Sequence, residues 1–270
     1  MARKLACIIL AAGAGTRMKS AIPKPLHPIA HKPMVLHVIE ACEALKPKKI
    51  VTVISPDMPG LEKAVAHHEI AYQPVTNGTG GAALAARDYL NEFDGDILVV
   101  FGDTPLITSD TLQKIIDKKN ERPDTAVVCS GFEPADPTGY GRLDLNADGS
   151  LRAVIEQKDA SPEQRRIGLC NGGIMCITGE KMFEWLSKVE NNNAQGEYYL
   201  VDLPVIAAAD GLKSEVCRID EEETVGVNSR ADQARAEHLM QQRLRRKFLE
   251  NGVSLLEPDR VRLAVDTYIE

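Results

Sequence analysis

The stretch LACIILAAGAGTRMKSAIPKPL, residues 5–26, joins an apolar run to a glycine-containing turn and then to several cations. The run at 5–10 has no polar face, which predicts a strand buried from both sides of a parallel sheet. In an open α/β sheet, ligands gather outside the carboxyl ends of the strands. We therefore expect the following loop to bind an anion, with Gly13 and Gly15 at positive φ presenting N–H groups, and Arg17 and Lys24 supplying charge.

The rest of the first half alternates strand-like and helix-like segments, which is typical of parallel βαβ units with helices on both faces of the sheet. The sequence predicts an α/β fold with a Rossmann-like, mixed and mostly parallel sheet. The predicted strands are 5–10, 50–54, 70–73 and 97–101, and the predicted helices are 34–45, 60–67, 80–90 and 109–119.

After residue 124 the pattern changes to strand-like pieces at 125–132, 141–157 and 171–177, followed by helical patterns at 179–189, around Pro204 and at 230–249. We predict a domain over 1–228, with a nucleotide-binding half at 1–123 and a sugar-binding half at 124–228. The long charged helix at 229–250 connects it to 251–270, which shows no cap or packed ending and is expected to begin a further domain.

The composition of the chain argues against a nucleic-acid-binding protein and against a membrane-spanning one. A net charge of −7 argues against nucleic acid as the main partner, and the apolar runs are too short to cross a membrane. The six cysteines form no C-x-x-C pair, which favours reduced core thiols of a cytoplasmic protein. The six histidines show no spacing with acidic or cysteine partners that would indicate a metal cluster.

Two nucleotide motifs compete for the glycine turn. A phosphate-loop ATPase needs Gly-Lys-Ser/Thr, which is absent after these glycines. A dinucleotide fingerprint needs glycine where Met18 stands, so a dinucleotide-dependent oxidoreductase is a remote alternative. A tight turn with solvated cations is the structural alternative.

The whole string from 10 to 24 resembles the signature of sugar-nucleotide pyrophosphorylases. Further segments follow in that family's order: QPVTNGTGGA (73–82), VFGDTPLI (100–107), DPTGYGRL (136–143), IEQKDAS (155–161), NGGI (171–174), NNNAQGEYYLVD (191–202) and VGVNSR (225–230). Together they resemble the N-terminal uridylyltransferase domain of bacterial bifunctional N-acetylglucosamine-1-phosphate uridylyltransferase/glucosamine-1-phosphate acetyltransferases. The resemblance implies the nucleotide-diphospho-sugar transferase fold. In that family the acetyltransferase domain follows the long helix, so acetyl transfer is not expected here.

The resemblance implies a cytoplasmic, Mg²⁺-dependent enzyme of cell-wall precursor synthesis. N-acetylglucosamine 1-phosphate would attack the α-phosphorus of UTP, giving UDP-N-acetylglucosamine and pyrophosphate. The full-length family is expected to form homotrimers, whereas a monomer is the expectation for this chain alone.

Site residues follow from the matched motifs. The resemblance implies catalytic roles for Arg17 and Lys24 and a Mg²⁺ site at Asp103 and Asn228. The positions implied for the nucleotide are Leu10, Ala11, Ala12, Gly13, Lys24, Gln73, Gly78 and Thr79. Those implied for the sugar are Gly102, Asp103, Gly141, Glu156, Asn171 and Asn228. Two residues depart from the family pattern: Phe101 replaces a frequent tyrosine, and Gly172 replaces a threonine whose hydroxyl bears on hexosamine selectivity.

Other functions stay open at this point. A related pyrophosphorylase could use another sugar phosphate or nucleotide. A regulatory domain could bind nucleotide sugars without turnover, although such a domain would have no need of Arg17, Lys24, Asp103 and Asn228 together.

Overall fold

The computed structural model describes residues 3–269, whose strands and helices follow the predicted alternation. The strands are β1 Leu5–Leu10, β2 Pro28–Ile29, β3 Lys32–Pro33, β4 Lys49–Ile54, β5 Glu69–Tyr72, β6 Asp96–Phe101, β7 Thr125–Phe132, β8 Arg142–Leu145, β9 Leu151–Ile155, β10 Cys170–Thr178 and β11 Lys213–Arg218. The helices are α1 Met34–Glu43, α2 Pro59–Val65, α3 Thr79–Ala85, α4 Arg87–Leu90, α5 Ser109–Asn120, α6 Gly179–Leu186, α7 Leu203–Ala209 and α8 Arg230–Glu250.

A nine-stranded mixed sheet organises the molecule, with the order β11-β7-β10-β6-β1-β4-β5 and the β8–β9 hairpin joined through β10. Strand β1 is parallel to both neighbours, β4 and β6, whereas β10 runs antiparallel to β6 and β7. This arrangement confirms the predicted fold class. The boundaries proposed for the domains and their two halves stay predictions.

Both faces of the sheet are covered, as the apolar strands predict. Alternate residues of β1 enter two separate cores: Ala6, Ile8 and Leu10 pack on one face, and Cys7 and Ile9 on the other. The first core includes residues of α3, α6 and α7, and the second includes residues of α1, α2 and α5. All six cysteines are free and buried, which confirms the prediction of core thiols.

Helix α8 packs on a third core that includes Met18, Ile29 and Met34. The segment after α8 returns along this helix, because Gln241 exchanges side-chain hydrogen bonds with the backbone of Leu263, at 2.7 and 2.8 Å. Leu263 is buried, so the expectation of an unpacked ending is wrong at this residue. Within residues 3–269, no helix has both the length and the apolar character needed to span a membrane.

Three local predictions differ from the structure. The helix expected over 80–90 divides at Ala86 into α3 and α4. Strand β11 was not predicted, because it lies at the sheet edge and carries Lys213, Glu215 and Arg218 instead of a continuous apolar run. The short β2–β3 ribbon was also not predicted, and it contains a proline in each strand.

Candidate active site

A cleft of about 400 Å³ opens where β1 and β6 end. This location agrees with the rule that parallel strands present ligand sites at their carboxyl ends. The predicted site residues that line the cleft are Leu10, Ala11, Ala12, Gly13, Arg17, Lys24, Gln73, Gly78, Thr79, Asp103 and Asn228. Phe101, already noted as a departure from the family pattern, also lines the cleft, and the sequence prediction missed Pro25, Thr76, Ala82 and Glu197.

The turn after β1 packs closely against the segment that carries Lys24. Gly15 has φ 62°, as predicted, whereas Gly13 does not adopt positive φ, so that part of the prediction is wrong. A Cβ on Gly15 would lie 2.6 Å from Cβ of Lys24, and a Cβ on Gly13 would meet nothing within 4 Å. Gly15 therefore permits the close approach of the Lys24 segment, and Gly13 leaves open space in the cleft wall.

Lys24, Asp103 and Asn228 meet inside the cleft. The Lys24 ammonium donates a very short hydrogen bond to the Asp103 carboxylate and a second one, 3.1 Å long, to the Asn228 amide oxygen. The Lys24 and Asp103 side chains are only 12% and 17% exposed, so little solvent screens their interaction. The side-chain oxygens of Asp103 and Asn228, which are far apart in the sequence, thus both contact the Lys24 ammonium.

Backbone hydrogen bonds explain how Asn228 reaches this position. The Val227 N–H donates to the Asp103 carbonyl oxygen at 2.9 Å, which ties the two loops together. Asp232 accepts hydrogen bonds from the backbone N–H groups of Asn228, at 3.0 Å, and Ser229, at 2.8 Å. Ser229 accepts from the Asp232 N–H in return, forming a capping box at the start of α8.

Sequence reasoning missed the positioning role of Ser229 and Asp232. A signal for it was present, because Ser-Arg-Ala-Asp at 229–232 has the spacing of a capping box. The box identifies a helix start, and Asn228 immediately precedes it.

Arg17 contributes a second cation to the cleft. It lies in a short 3₁₀ turn, Thr16–Met18, and is exposed. Its side chain makes no hydrogen bond or ion pair within residues 3–269, unlike the ammonium of Lys24. The guanidinium is therefore available to an anionic ligand.

Gln73, Gly78 and Thr79 form another part of the cleft lining. The Gln73 amide nitrogen donates to Asn77 Oδ1 at 3.0 Å and to the Gly78 carbonyl oxygen at 3.3 Å. This use of its donor side leaves the Gln73 carbonyl oxygen to accept from a ligand. The Thr79 hydroxyl oxygen accepts from the Leu200 N–H at 3.0 Å, so it also anchors the segment that follows the polar 191–198 loop.

Gly78 is required where that loop meets α3. Its φ is 104°, and a Cβ there would lie 2.5 Å from the Tyr198 carbonyl oxygen. The Gly80 N–H donates to the same oxygen at 2.8 Å. This close contact between backbones brings Glu197 to the rim of the cleft.

A smaller cavity of about 230 Å³ contains the acidic groups Glu156, Asp159, Glu190 and Asp202. A Cβ on Gly141 would lie 3.3 Å from Glu156 Oε1 and 3.5 Å from Asn171 Cβ, so these predicted sugar positions lie together. Burial, with lesser contributions from Asp159, Asp202 and Glu197, raises the pKa of Glu156. Burial and the neighbouring Asp159 likewise raise the pKa of Asp202 to about 6.

The predicted sugar position Gly102 lines neither the cleft nor the smaller cavity, and neither does Gly172, one of the two departures from the family pattern. A Cβ on Gly102 would lie 3.1 Å from Ala11 Cβ and 3.4 Å from Val35 Cγ2. At Gly172 a Cβ would lie 2.7 Å from Ser130 Oγ and 3.2 Å from Thr224 Cγ2. A side chain at 172 would therefore point at these two residues. Phe101 lines the main cleft directly.

Comparison with known proteins identifies the family. Residues 7–167 match the MobA-like NTP transferase domain. The chain belongs to this family. It carries a nucleotidyltransferase domain, and its cleft lies within and beside the matched region.

Curated relatives with the name bifunctional protein GlmU are similar along almost the whole chain. The proteins from Paramagnetospirillum magneticum and Rhodospirillum rubrum are 46% identical to it over 266 and 264 residues, covering 98% of this chain. The protein from Jannaschia sp. is 43% identical over 273 residues, covering 99% of it. The chain spans 59% of the length of each of these relatives.

Proposed function

We propose that this chain transfers the uridylyl group of UTP to N-acetylglucosamine 1-phosphate, releasing UDP-N-acetylglucosamine and pyrophosphate. The observation that carries the proposal is the meeting of Arg17 and Lys24 with the oxygens of Asp103 and Asn228 in one cleft. Cations suit a polyphosphate and its leaving group, and the oxygens suit a hard metal ion. The nucleotidyltransferase family and the GlmU relatives support the same reaction class.

Asp103 and Asn228 are the residues that would hold Mg²⁺. Their fit to a cation is supported by the Lys24 ammonium, which contacts oxygens of both side chains. One carboxylate and one amide suit Mg²⁺, which usually keeps several waters and takes further oxygens from substrate phosphates. When bound there, Mg²⁺ would neutralise phosphate charge.

The binding of uracil is assigned to Gln73, Gly78 and Thr79. The Gln73 carbonyl oxygen would accept from the ring N3–H, because its amide nitrogen is engaged within the protein. The sugar is assigned to Gly141, Glu156 and Asn171. A carboxylate and an amide can bond hydroxyl and acetamido groups, and the glycine allows a close approach.

The reaction needs no general base from the protein, because a sugar phosphate is already an anionic nucleophile. One of its phosphate oxygens forms a bond to the α-phosphorus, and the bond from that phosphorus to the bridging oxygen of the β-phosphate breaks. Both electrons of the broken bond leave with pyrophosphate. Arg17 and Lys24 would reduce the repulsion between the two polyanions and stabilise the charge on the leaving group.

Pyrophosphate release tests the proposal. The assay combines UTP with N-acetylglucosamine 1-phosphate, with and without Mg²⁺, beside other nucleoside triphosphates and glucose 1-phosphate. We expect metal-dependent release that is strongest for the proposed pair. Preference for another pair would support nucleotidyl transfer with a different substrate. No release from folded protein would favour a nucleotide-sugar-binding regulatory domain.

The Asp103→Ala variant links that activity to the cleft. We expect turnover to fall by at least about 10³-fold, because the variant lacks the only carboxylate assigned to the metal. Asp94→Ala is the matched control, since the Asp94 side chain is 78% exposed and pairs with Lys4 at the surface. Unchanged turnover in Asp103→Ala would contradict the metal assignment.

A further inference from the structure

Glu43, His67 and His68 form a cluster outside the candidate active site. Glu43 is the last residue of α1, and the two histidines lie in the turn between α2 and β5. His68 Nε2 lies 2.8 Å from Glu43 Oε1, and His67 Nε2 lies 3.8 Å from the same oxygen. One atom from each of the three side chains lies within 4.8 Å of those from the other two.

We infer that these side chains form a binding site for a transition-metal dication of the Zn²⁺ class. Two imidazoles and a carboxylate are a common protein ligand set for zinc, with a fourth position left to solvent. Zinc ligands lie about 2.0–2.2 Å from the metal. Ligand atoms already this close need only small side-chain movements to surround one ion. The inference does not depend on the proposed function.

The surroundings leave room for the ion and its solvent ligand. The three side chains line a surface cavity of about 560 Å³. Glu43 makes no salt bridge to lysine or arginine within residues 3–269, so its carboxylate is paired only with the two imidazoles.

Lysines on the cavity wall are the main electrostatic objection. Lys49 directs its ammonium to the Tyr89 carbonyl oxygen, at 3.0 Å. Lys46 and Lys48 are exposed, so solvent and salt screen their repulsion. Direct bonds to the metal from the two imidazole nitrogens and the Glu43 oxygen outweigh the screened repulsion between the ion and these lysines.

Sequence spacing did not reveal this cluster, because β4 and α2 lie between Glu43 and the adjacent histidines. Its position suggests what binding would do. Helices α1 and α2 both pack against residues 24–26, the segment that carries Lys24. A bound ion would link the carboxyl ends of these helices and stabilise the folded chain.

The test is calorimetric titration of the chelator-treated protein with ZnCl₂. Excess Mg²⁺ is present to occupy the oxygen ligands of the cleft, Asp103 and Asn228, so that Zn²⁺ does not bind there. We expect one Zn²⁺ per chain, and at a hundredfold excess over Kd a rise in melting temperature of roughly 5 °C. Each of His67→Gln, His68→Gln and Glu43→Gln should weaken binding by at least about tenfold. Circular dichroism checks that each variant is folded.

His238→Gln is the matched control, because His238 is an exposed histidine on α8. It should bind Zn²⁺ like the wild type. Cobalt(II) supplies a structural readout, since its visible absorption should show a four-coordinate site in wild type that the three cluster variants lose. The inference is overturned if wild type binds no Zn²⁺, or if folded cluster variants bind it as tightly as wild type.

Discussion

The main cleft and the smaller acidic cavity differ in whether they contain cations. The cleft contains the cations Arg17 and Lys24 beside the carboxylates of Asp103 and Glu197, whereas the charged residues of the cavity are all acidic: Glu156, Asp159, Glu190 and Asp202. Glu197 lines the cleft and also contributes to the raised pKa of Glu156, so the two regions are neighbours.

This difference matches the two chemical parts of a nucleotide sugar. Phosphates are polyanions and require cations, while a neutral sugar offers hydroxyl donors to carboxylates. Crowded carboxylates also repel phosphate, so the acidic cavity disfavours a triphosphate in the place of a sugar. The comparison predicts that substitutions in the cleft impair chemistry and substitutions in the cavity impair sugar binding or change stability.

Among the substitutions that test this comparison, the largest effect is expected for Lys24→Met. Turnover should fall by about 10³-fold because the variant lacks the largely buried cation that we assign to the phosphates. The same variant should bind Mn²⁺ about tenfold more tightly without nucleotide, because the ammonium no longer competes for Asp103 and Asn228. Steady-state kinetics and Mn²⁺ titration by electron paramagnetic resonance measure the two effects. Weaker Mn²⁺ binding would show that Lys24 supports the metal ligands instead of competing with the ion.

Arg17→Ala should reduce turnover by about 10²-fold and change the KM for the sugar phosphate only a few-fold. The reason is that the free guanidinium is assigned to the leaving pyrophosphate, whose charge grows in the transition state. Lys19→Ala controls for loss of an exposed cation in the same segment. A change confined to KM would instead make Arg17 an anchor for the ground state.

Glu156→Gln should raise the KM for the sugar phosphate by about tenfold and leave the KM for UTP unchanged. The amide keeps the shape of the side chain and removes its charge. Glu163→Gln is an exposed control on the same half of the chain. If both KM values rise equally, the division of roles between cleft and cavity is wrong.

Asp202→Asn should produce the smallest effect, on stability. The raised pKa means that folding favours the protonated carboxyl, so this stabilising contribution is complete below the ordinary pKa of 3.8 and is lost as pH rises through about 6. The variant should therefore increase the free energy of unfolding by about 1 kcal/mol at pH 8, after allowance for partial exposure, and change it little near pH 4. Urea denaturation at both pH values measures this, and an equal gain at both would contradict it.

Local sequence pattern predicted the central features of the fold. The runs at 5–10 and 125–132 match β1 and β7, because a strand buried on both faces leaves a continuous apolar signal. The charged edge strand β11 leaves no such signal. The division at Ala86 follows from local backbone geometry that composition does not encode.

Sequence pattern likewise predicted only part of the candidate site. Motifs identified Asp103 and Asn228, but both reach Lys24 in a structure where a backbone hydrogen bond from Val227 to Asp103 joins their loops, which are distant in the sequence. Glu197 enters the cleft because its loop packs on α3, and nothing in its own segment indicates that contact. The Glu43–His67–His68 cluster likewise arises only from tertiary packing.

The capping box at the start of α8 has a consequence beyond holding one amide. Asp232 binds the backbone N–H groups of both Asn228 and Ser229, so opening the first helical turn also releases Asn228 from its place beside Asp103. By thermodynamic linkage, any ligand that binds this arrangement more tightly than the opened one must stabilise that turn by the same free energy. Hydrogen exchange at these amides should therefore slow when a ligand that prefers this arrangement occupies the cleft.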